Sequence, residues 1–239
     1  MSATNHPVIL IFGAGANTGY GVADAFSRKG YKVAIVSRGA LAPVFEGRDF
    51  LHVKGDLADM SSVEAAYKRT VDELGIPSVV IHNVLTTELA YASTMAPDNA
   101  DPIQLPVSGL AADLAINTTS VLQLLQLAIT GFAKLPESTS RTFIYTGNKA
   151  NLEPFPPFLS LGVGKAASSH MISFAAKAYS SQGYKFYYAD QRNEDGSPVM
   201  AVIDGKAHGE FYTELAESKA QGPWLASFVK GKGYVKFEE

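Results

Sequence analysis

Val8-Ile9-Leu10-Ile11-Phe12-Gly13-Ala14-Gly15-Ala16-Asn17-Thr18-Gly19-Tyr20-Gly21 is the stretch whose reading decides the fold. Its first five residues are apolar and predict a buried strand, and Val22-Ala23-Asp24-Ala25-Phe26 beyond the glycines is amphipathic and predicts a helix. Strand, glycine turn and helix start follow in the order a dinucleotide site requires, because amides at a helix N-terminus face the pyrophosphate. Gly13 and Gly15 are expected to let the turn bend and to bring backbone N–H groups near the anion. Gly19 and Gly21 are expected to let the helix pack close to the strand. Asn17 and Thr18, between the glycines, complete the expected phosphate-side set. The plainer alternative is a glycine turn that only joins a strand to a helix.

Working outward, strands alternate with helices. Lys32–Ser37, Phe50–Lys54, Ser78–Asn83, Arg141–Thr146 and Lys185–Asp190 read as further strands. Helices are expected from Gly19 to about Lys29, from a Ser61/Glu64 capping box to about Leu74, over Gly109–Leu135, and over Ser160–Ser181. Near-continuous apolar strands alternating with helices predict a parallel sheet covered on both faces, with right-handed crossovers. The tail is expected to turn at Asp195-Gly196 into a strand over Val199–Ile203, then to form a helix over Ala207–Ser218 and a strand over Trp224–Val229. The lone tryptophan, Trp224, is expected to pack rather than bind.

The chain has 239 residues and shows no linker or repeat, so a single domain is expected, with a closing or substrate segment after about residue 190. A net charge of −3 offers no basic field for nucleic acid. Cysteine is absent, which excludes disulfide and thiol chemistry and fits a reducing compartment. No secretion signal is visible in Met1–Pro7 and the apolar stretches are interrupted, so a cytoplasmic protein without a membrane span is expected. The five histidines are scattered, and no metal site is expected.

At this point the residues resemble the short-chain dehydrogenases/reductases over about residues 7–190. Gly15, Gly19 and Gly21 match the family's Gly-x-x-x-Gly-x-Gly turn. Asp56, followed by Leu57, matches its adenine-side aspartate, and His82-Asn83-Val84-Leu85 half matches the Asn-Asn-Ala-Gly segment after its fourth strand. Asn117 matches its helix asparagine, and Lys165, in Gly164-Lys165-Ala166-Ala167-Ser168, matches its active-site lysine. The resemblance implies a Rossmann-type doubly wound α/β fold, a bound nicotinamide dinucleotide, a small-molecule substrate, catalytic roles for Asn117 and Lys165, and pairing into a homodimer or homotetramer. Family members usually pair through the two long helices. The first of them here carries Leu122, Leu125 and Ile129 at helical spacing, with Val121 and Leu124 beside them.

Three places depart from the family, one being its Pro-Gly segment after the sixth strand, replaced here by Asp190-Gln191-Arg192-Asn193. Its tyrosine, one helical turn before the lysine, is Leu161 here, and its serine after the fifth strand is Asn148. A tyrosine beside a cationic lysine can give a proton to a carbonyl oxygen near neutral pH, whereas leucine donates nothing, and losing a general acid costs ~10²–10⁴ in rate. The amide of Asn148 can still hydrogen-bond a substrate oxygen, so Asn148 is the third catalytic candidate. Tyr145 and Lys149 share the Tyr-x-x-x-Lys spacing but flank a strand end, where that spacing does not put both on one face. Tyr91 and His82 are alternative proton sources. Their plainer readings are a surface aromatic and a hydrogen-bonded strand-end histidine. Phe155-Pro156-Pro157-Phe158 reads equally as an apolar pocket wall or as a rigid loop.

Cofactor choice rests on Ser37-Arg38 at the end of the second strand. Arg38 offers a charged fork and Ser37 a hydroxyl to a 2′-phosphate, which favours NADP over NAD. The alternative for Arg38 is a solvated charge, or a guanidinium stacked on adenine.

Overall fold

The computed structural model describes residues 6–84, 101, 103–156 and 158–238. Eight strands form one sheet: β1 (Val8–Phe12), β2 (Lys32–Ser37), β3 (Phe50–Lys54), β4 (Val79–His82), β5 (Thr142–Thr146), β6 (Lys185–Arg192), β7 (Leu225–Val229) and β8 (Gly233–Tyr234). Their order is β3-β2-β1-β4-β5-β6-β7-β8, and every pair is parallel except β7 with β8. Among the described residues the α-helices are α1 (Thr18–Arg28), α2 (Met60–Leu74), α3 (Val107–Phe132), α4 (Leu159–Ala178) and α5 (Gly205–Glu217).

The pleat divides each strand between two cores. Leu10 and Phe12 of β1 join the side that holds Val121, Leu124 and Phe132 of α3 and Ile172 of α4. Ile9 and Ile11 face the side that holds Val22 and Phe26 of α1 and Phe211 and Tyr212 of α5. Apolar residues on both faces explain why the strands read as unbroken hydrophobic runs. The order reverses between β1 and β4, and at that switch point the carboxyl ends of the strands open a crevice for a ligand.

Several expectations are corrected. α2 begins at Met60 and is capped by Asp59, whose carboxylate accepts the amide of Ser61 at 2.9 Å. An acidic acceptor stands ahead of the expected Ser61/Glu64 box. α3 begins at Val107, directly after Pro106, and ends at Phe132. It carries a π-helical turn at Ala115–Thr119. By length, 26 residues, and by a mean hydropathy of 1.2, α3 could cross a membrane. Its apolar side chains Val121, Leu124, Leu125, Ala128 and Phe132 are instead buried against the sheet. The hairpin strand over Val199–Ile203 does not form. β6 runs on to Arg192 and its free edge is taken by β7, so the chain after Asp195-Gly196 makes one bridge, Arg192 to Pro198, and then a 3₁₀ turn over Met200–Val202. Gly21 does not serve the strand: a Cβ there would lie 2.1 Å from the carbonyl oxygen of Gly205, so this glycine admits α5. Trp224 packs against the core, as expected.

Candidate functional site

A cavity of about 600 Å³ opens at the switch point. Its walls are the glycine turn (Gly13 to Asn17), Ser37 and Arg38 after β2, Gly55-Asp56-Leu57 after β3, Asn83 and Val84 after β4, and Ile116 of α3. Gly13 adopts φ +89°, and a Cβ there would strike the carbonyl oxygen of Asn83 at 1.7 Å, so only glycine lets the ends of β1 and β4 close together. At Gly15 a Cβ would meet no atom within 4 Å, so this part of the turn borders open space. The amides of Gly13 and Gly15 are engaged internally, by Val36 O at 3.1 Å and Gly13 O at 2.9 Å. The anion-facing amides are therefore those at the start of α1 rather than those of the first two glycines. Volume, open wall and helix start together fit a dinucleotide.

Eight of the residues expected to touch a cofactor line this cavity: Gly13, Gly15, Asn17, Ser37, Arg38, Asp56, Leu57 and Asn83. Thr18 and Gly19 do not. Both are buried behind the turn, and a Cβ on Gly19 would lie 2.8 Å from Gly13 O. Asn17 lines the cavity, yet its side-chain amide bonds Ile203 O at 2.8 Å and the Gly205 amide at 2.9 Å. Ser37 donates to Gly39 O at 2.8 Å and meets Nε2 of His52 at 2.9 Å. That leaves Arg38, which is exposed on the rim, as the side chain free to meet a phosphate there. His52 had no signal beyond its place on a strand. Asn83 donates to Gly13 O at 2.8 Å and thereby fixes the turn.

The second group of expected residues gathers at the end of β5. Lys165 stands on the inner face of α4 and is 2% exposed. Its amine donates to Thr146 O at 2.9 Å and lies 4.4 Å from the centre of the Tyr145 ring. Burial pulls the amine down to about 7, against an opposing pull from the Asp190 carboxylate. Asn117 sits in the π-helical turn, which presses on α4: a Cβ on Gly164 would meet Asn117 Cβ at 2.7 Å. The carbonyl of Asn117 accepts the Ser168 hydroxyl, and Ser160 donates to the buried Asp113 carboxylate at 2.5 Å. These ties fix α3 and α4 on either side of Lys165.

Asn148 caps a 3₁₀ turn, its side-chain oxygen accepting the Ala150 amide at 3.1 Å. Its backbone carbonyl accepts the hydroxyl of Tyr188 at 2.7 Å, and only a glycine at 147 leaves room for that ring, whose Cε1 would lie 2.0 Å from a Cβ. His82, Tyr145 and Tyr188 form a stack across β4, β5 and β6, with centroids 5.1 and 5.4 Å apart. His82 is buried, contacts the Ser120 hydroxyl at 2.8 Å and is pushed down to about 3. Its contacts, the Ser120 hydroxyl and the Tyr145 ring, are those of a hydrogen-bonded strand-end histidine. Tyr145 is core, while Lys149 pairs with Glu153 at 3.0 Å, so the two do not form a dyad. Tyr91 and Leu85 lie outside the described residues. Leu161 packs in a small apolar cluster with Ala150, Phe155 and Phe158. Sequence reading missed the buried ion pair of Asp190 with Arg192. Two opposite charges spaced by two at the end of an apolar strand share one face, and that spacing was the available signal.

A second cavity, about 410 Å³, is walled by Phe155, Pro156 and Phe158 together with Leu159, Gly162, Val163 and Ala166. Those four α4 positions share one helical face, and Leu161, Lys165 and Ser168 share another. Phe155, Pro156 and Phe158 thus line a pocket, but one whose α4 wall is not the face that carries Lys165.

The sequence matches the family described as short chain dehydrogenase over residues 7–189. It is 46% identical over 236 residues to the short chain dehydrogenase/reductase dmxR12 of Cryptosporiopsis sp. (strain 8999), covering 97% of this chain and 95% of that one. Among solved structures it resembles a short-chain type dehydrogenase/reductase from Mycobacterium marinum, with a TM-score of 0.74, 17% identity and 94% of each chain covered. It also resembles the 3-oxoacyl-[acyl-carrier protein] reductase of Brucella melitensis in complex with NAD, with a TM-score of 0.73 and 16% identity over 94% of this chain and 95% of the other. With a glycine turn at a dinucleotide-sized cavity and a lysine buried on the neighbouring helix, this chain belongs to the short chain dehydrogenase family of oxidoreductases.

Proposed function

We propose that the protein is an NADP(H)-dependent reductase of a small organic carbonyl or an activated double bond, with the acid chemistry of its family altered. The observation that carries this reading is the placement of the Lys165 amine on Thr146 O, at the carboxyl end of β5, with leucine one turn earlier at 161. The start of α1 would hold the pyrophosphate, with Gly15 leaving room for it, Asp56 and Leu57 the adenine side, and Arg38 the 2′-phosphate. Lys165 would hold the nicotinamide ribose, positioned by Asn117 through the packing of α3 on α4. When bound, NADPH supplies a hydride to the acceptor. Asn148 would donate an N–H to the acceptor oxygen, its amide oxygen being held by Ala150. Leu161 supplies no proton, so acceptors that spread negative charge or start positive, such as quinones, dicarbonyls, enones and iminium ions, should react before simple ketones.

A second reading has the dinucleotide serving structure or sensing. It is favoured by the near-complete burial of Lys165 and by the absence of Lys165 and Asn148 from the walls of both cavities described. Oxidation of NADPH with a panel of acceptors separates the two. Turnover with activated acceptors, and new activity on simple ketones in Leu161→Tyr, supports the reductase. No consumption by the wild type or by Leu161→Tyr with Asn148→Ser transfers the reading to the sensor. We further propose a homodimer or homotetramer, because Leu122 of α3 and Val163 and Phe174 of α4 remain 48, 41 and 67% exposed. Val121, Leu124 and Leu125, expected to add to that surface, are core.

A further inference from the structure

The amide of Asn17 reaches away from the cavity. Its Nδ2 donates to Ile203 O at 2.8 Å, and its Oδ1 accepts from the Gly205 amide at 2.9 Å. Both partners are far away in sequence and lie where the chain, having left β6, enters α5. Backbones touch around this point. A Cβ on Gly205 would lie 2.3 Å from Asn17 O, one on Gly21 would lie 2.1 Å from Gly205 O, and one on Gly209 would lie 2.4 Å from Gly21 O. Three glycines therefore let the backbones of α1 and α5 touch, and such a contact transmits displacement rather than absorbing it. The same end of the segment is tied to β6, where Gln191 Oε1 accepts the Asp204 amide at 2.9 Å. Asp204 also caps α5 and pairs with Lys230 at 2.6 Å.

We propose that Asn17 is a positioning residue that latches residues 203–209 to the cofactor turn, so that dinucleotide binding and the seating of this segment stabilise one another. Through Gln191 the segment is also held near the carboxyl end of β6. Coupling of this kind is reciprocal: whatever loosens the segment must weaken dinucleotide binding by the same factor. Neither Ile203 nor Gly205 lines the cavity, so their effect on affinity passes through Asn17 and the start of α1. The proposal rests on a dinucleotide occupying the glycine-turn cavity.

Amide hydrogen exchange and calorimetric titration with NADPH and NADH test it together. In the dinucleotide-free protein, Asn17→Ala should speed exchange across 203–209 by about three- to tenfold, the effect of losing one or two exposed hydrogen bonds. In the wild type, dinucleotide should slow that exchange. Gly205→Ala, whose Cβ would strike both the backbone oxygen and the side-chain oxygen of Asn17, should speed exchange across 203–209 and weaken dinucleotide binding at least as much as Asn17→Ala does. Loss of affinity in Asn17→Ala with exchange over 203–209 unmoved would show that Asn17 acts only by touching the ligand and would overturn the proposal. Binding to the wild type without protection of 203–209 overturns the coupling alone. Binding of neither dinucleotide overturns the functional reading and the coupling with it. Should Gly205→Ala fail to fold, the exchange measured in Asn17→Ala still decides.

Discussion

Replacing Lys165 by methionine should change how stability depends on pH, by an amount the structure sets. The amine is buried beneath α4 with one carbonyl acceptor and one aromatic face, and burial lowers it from 10.5 to about 7. The folded pKa lies below the unfolded one. Between about pH 7 and 10.5 the unfolded chain therefore binds the proton that the folded chain has released, and stability rises with pH. Below about pH 7 both states are protonated, and the burial penalty is constant and at its largest. Integrated from pH 6 to pH 9, a shift of this size contributes about 2–3 kcal/mol. Methionine keeps the length and apolar stem without the charge, so Lys165→Met should gain on the wild type by that amount at pH 6 relative to pH 9. Urea unfolding of both proteins at pH 6, 7, 8 and 9 yields the difference, in which Lys185, lowered to about 8 by burial, cancels. A difference that stays flat within about 0.5 kcal/mol over this range would refute the reasoning, because the lysine would then titrate as it does in water.

Arg38→Ala should remove a preference for NADPH over NADH of about tenfold or more, the scale of one charge-assisted phosphate contact, and equal wild-type affinities by calorimetry would sink the assignment. Gly21→Ala should destabilise the fold by about 1–3 kcal/mol in chemical denaturation, since the new methyl meets the Gly205 backbone; no change would mean that α1 and α5 are not in contact. Lys165→Ala should weaken NADPH binding whether or not the protein turns over, and unchanged affinity would place the lysine away from the cofactor. Light scattering at micromolar concentration should report a dimer or tetramer that Phe174→Asp weakens; a wild-type monomer would leave Phe174 as an isolated exposed side chain.

Much of this protein was readable from local signals. Strand β1 and the run Val33–Val36 of β2 are bounded where apolar residues meet glycine, proline or polar residues, because a strand buried on both faces excludes polar side chains. The cofactor cavity follows from one contiguous stretch, since a glycine turn between a strand and a helix makes its geometry through the backbone alone. Lys165 and Asn117 were legible only through resemblance, as neither spacing nor periodicity relates two helices that meet by packing.

The parts that depend on distant chain segments were not readable. Gly21 looks like the third glycine of a phosphate turn, and only the approach of α5 shows it serving a helix contact with Gly205 and Gly209. Asn17 looks like a ligand for the cofactor, and only the return of the chain at Ile203 reveals where its amide goes. The tail failed as a hairpin because β7 had already taken the edge of β6, a competition that no local signal at Asp195-Gly196 can express. The charge state at the site is likewise tertiary. The sequence supplies a lysine, while its low pKa comes from the water excluded by α3, α4 and the stacked rings of His82, Tyr145 and Tyr188. The sequence by itself determined which segments form strands and where a dinucleotide fits, because both are written in neighbouring residues. Tertiary structure decided which polar groups remain free to act, because that depends on what comes to lie beside them.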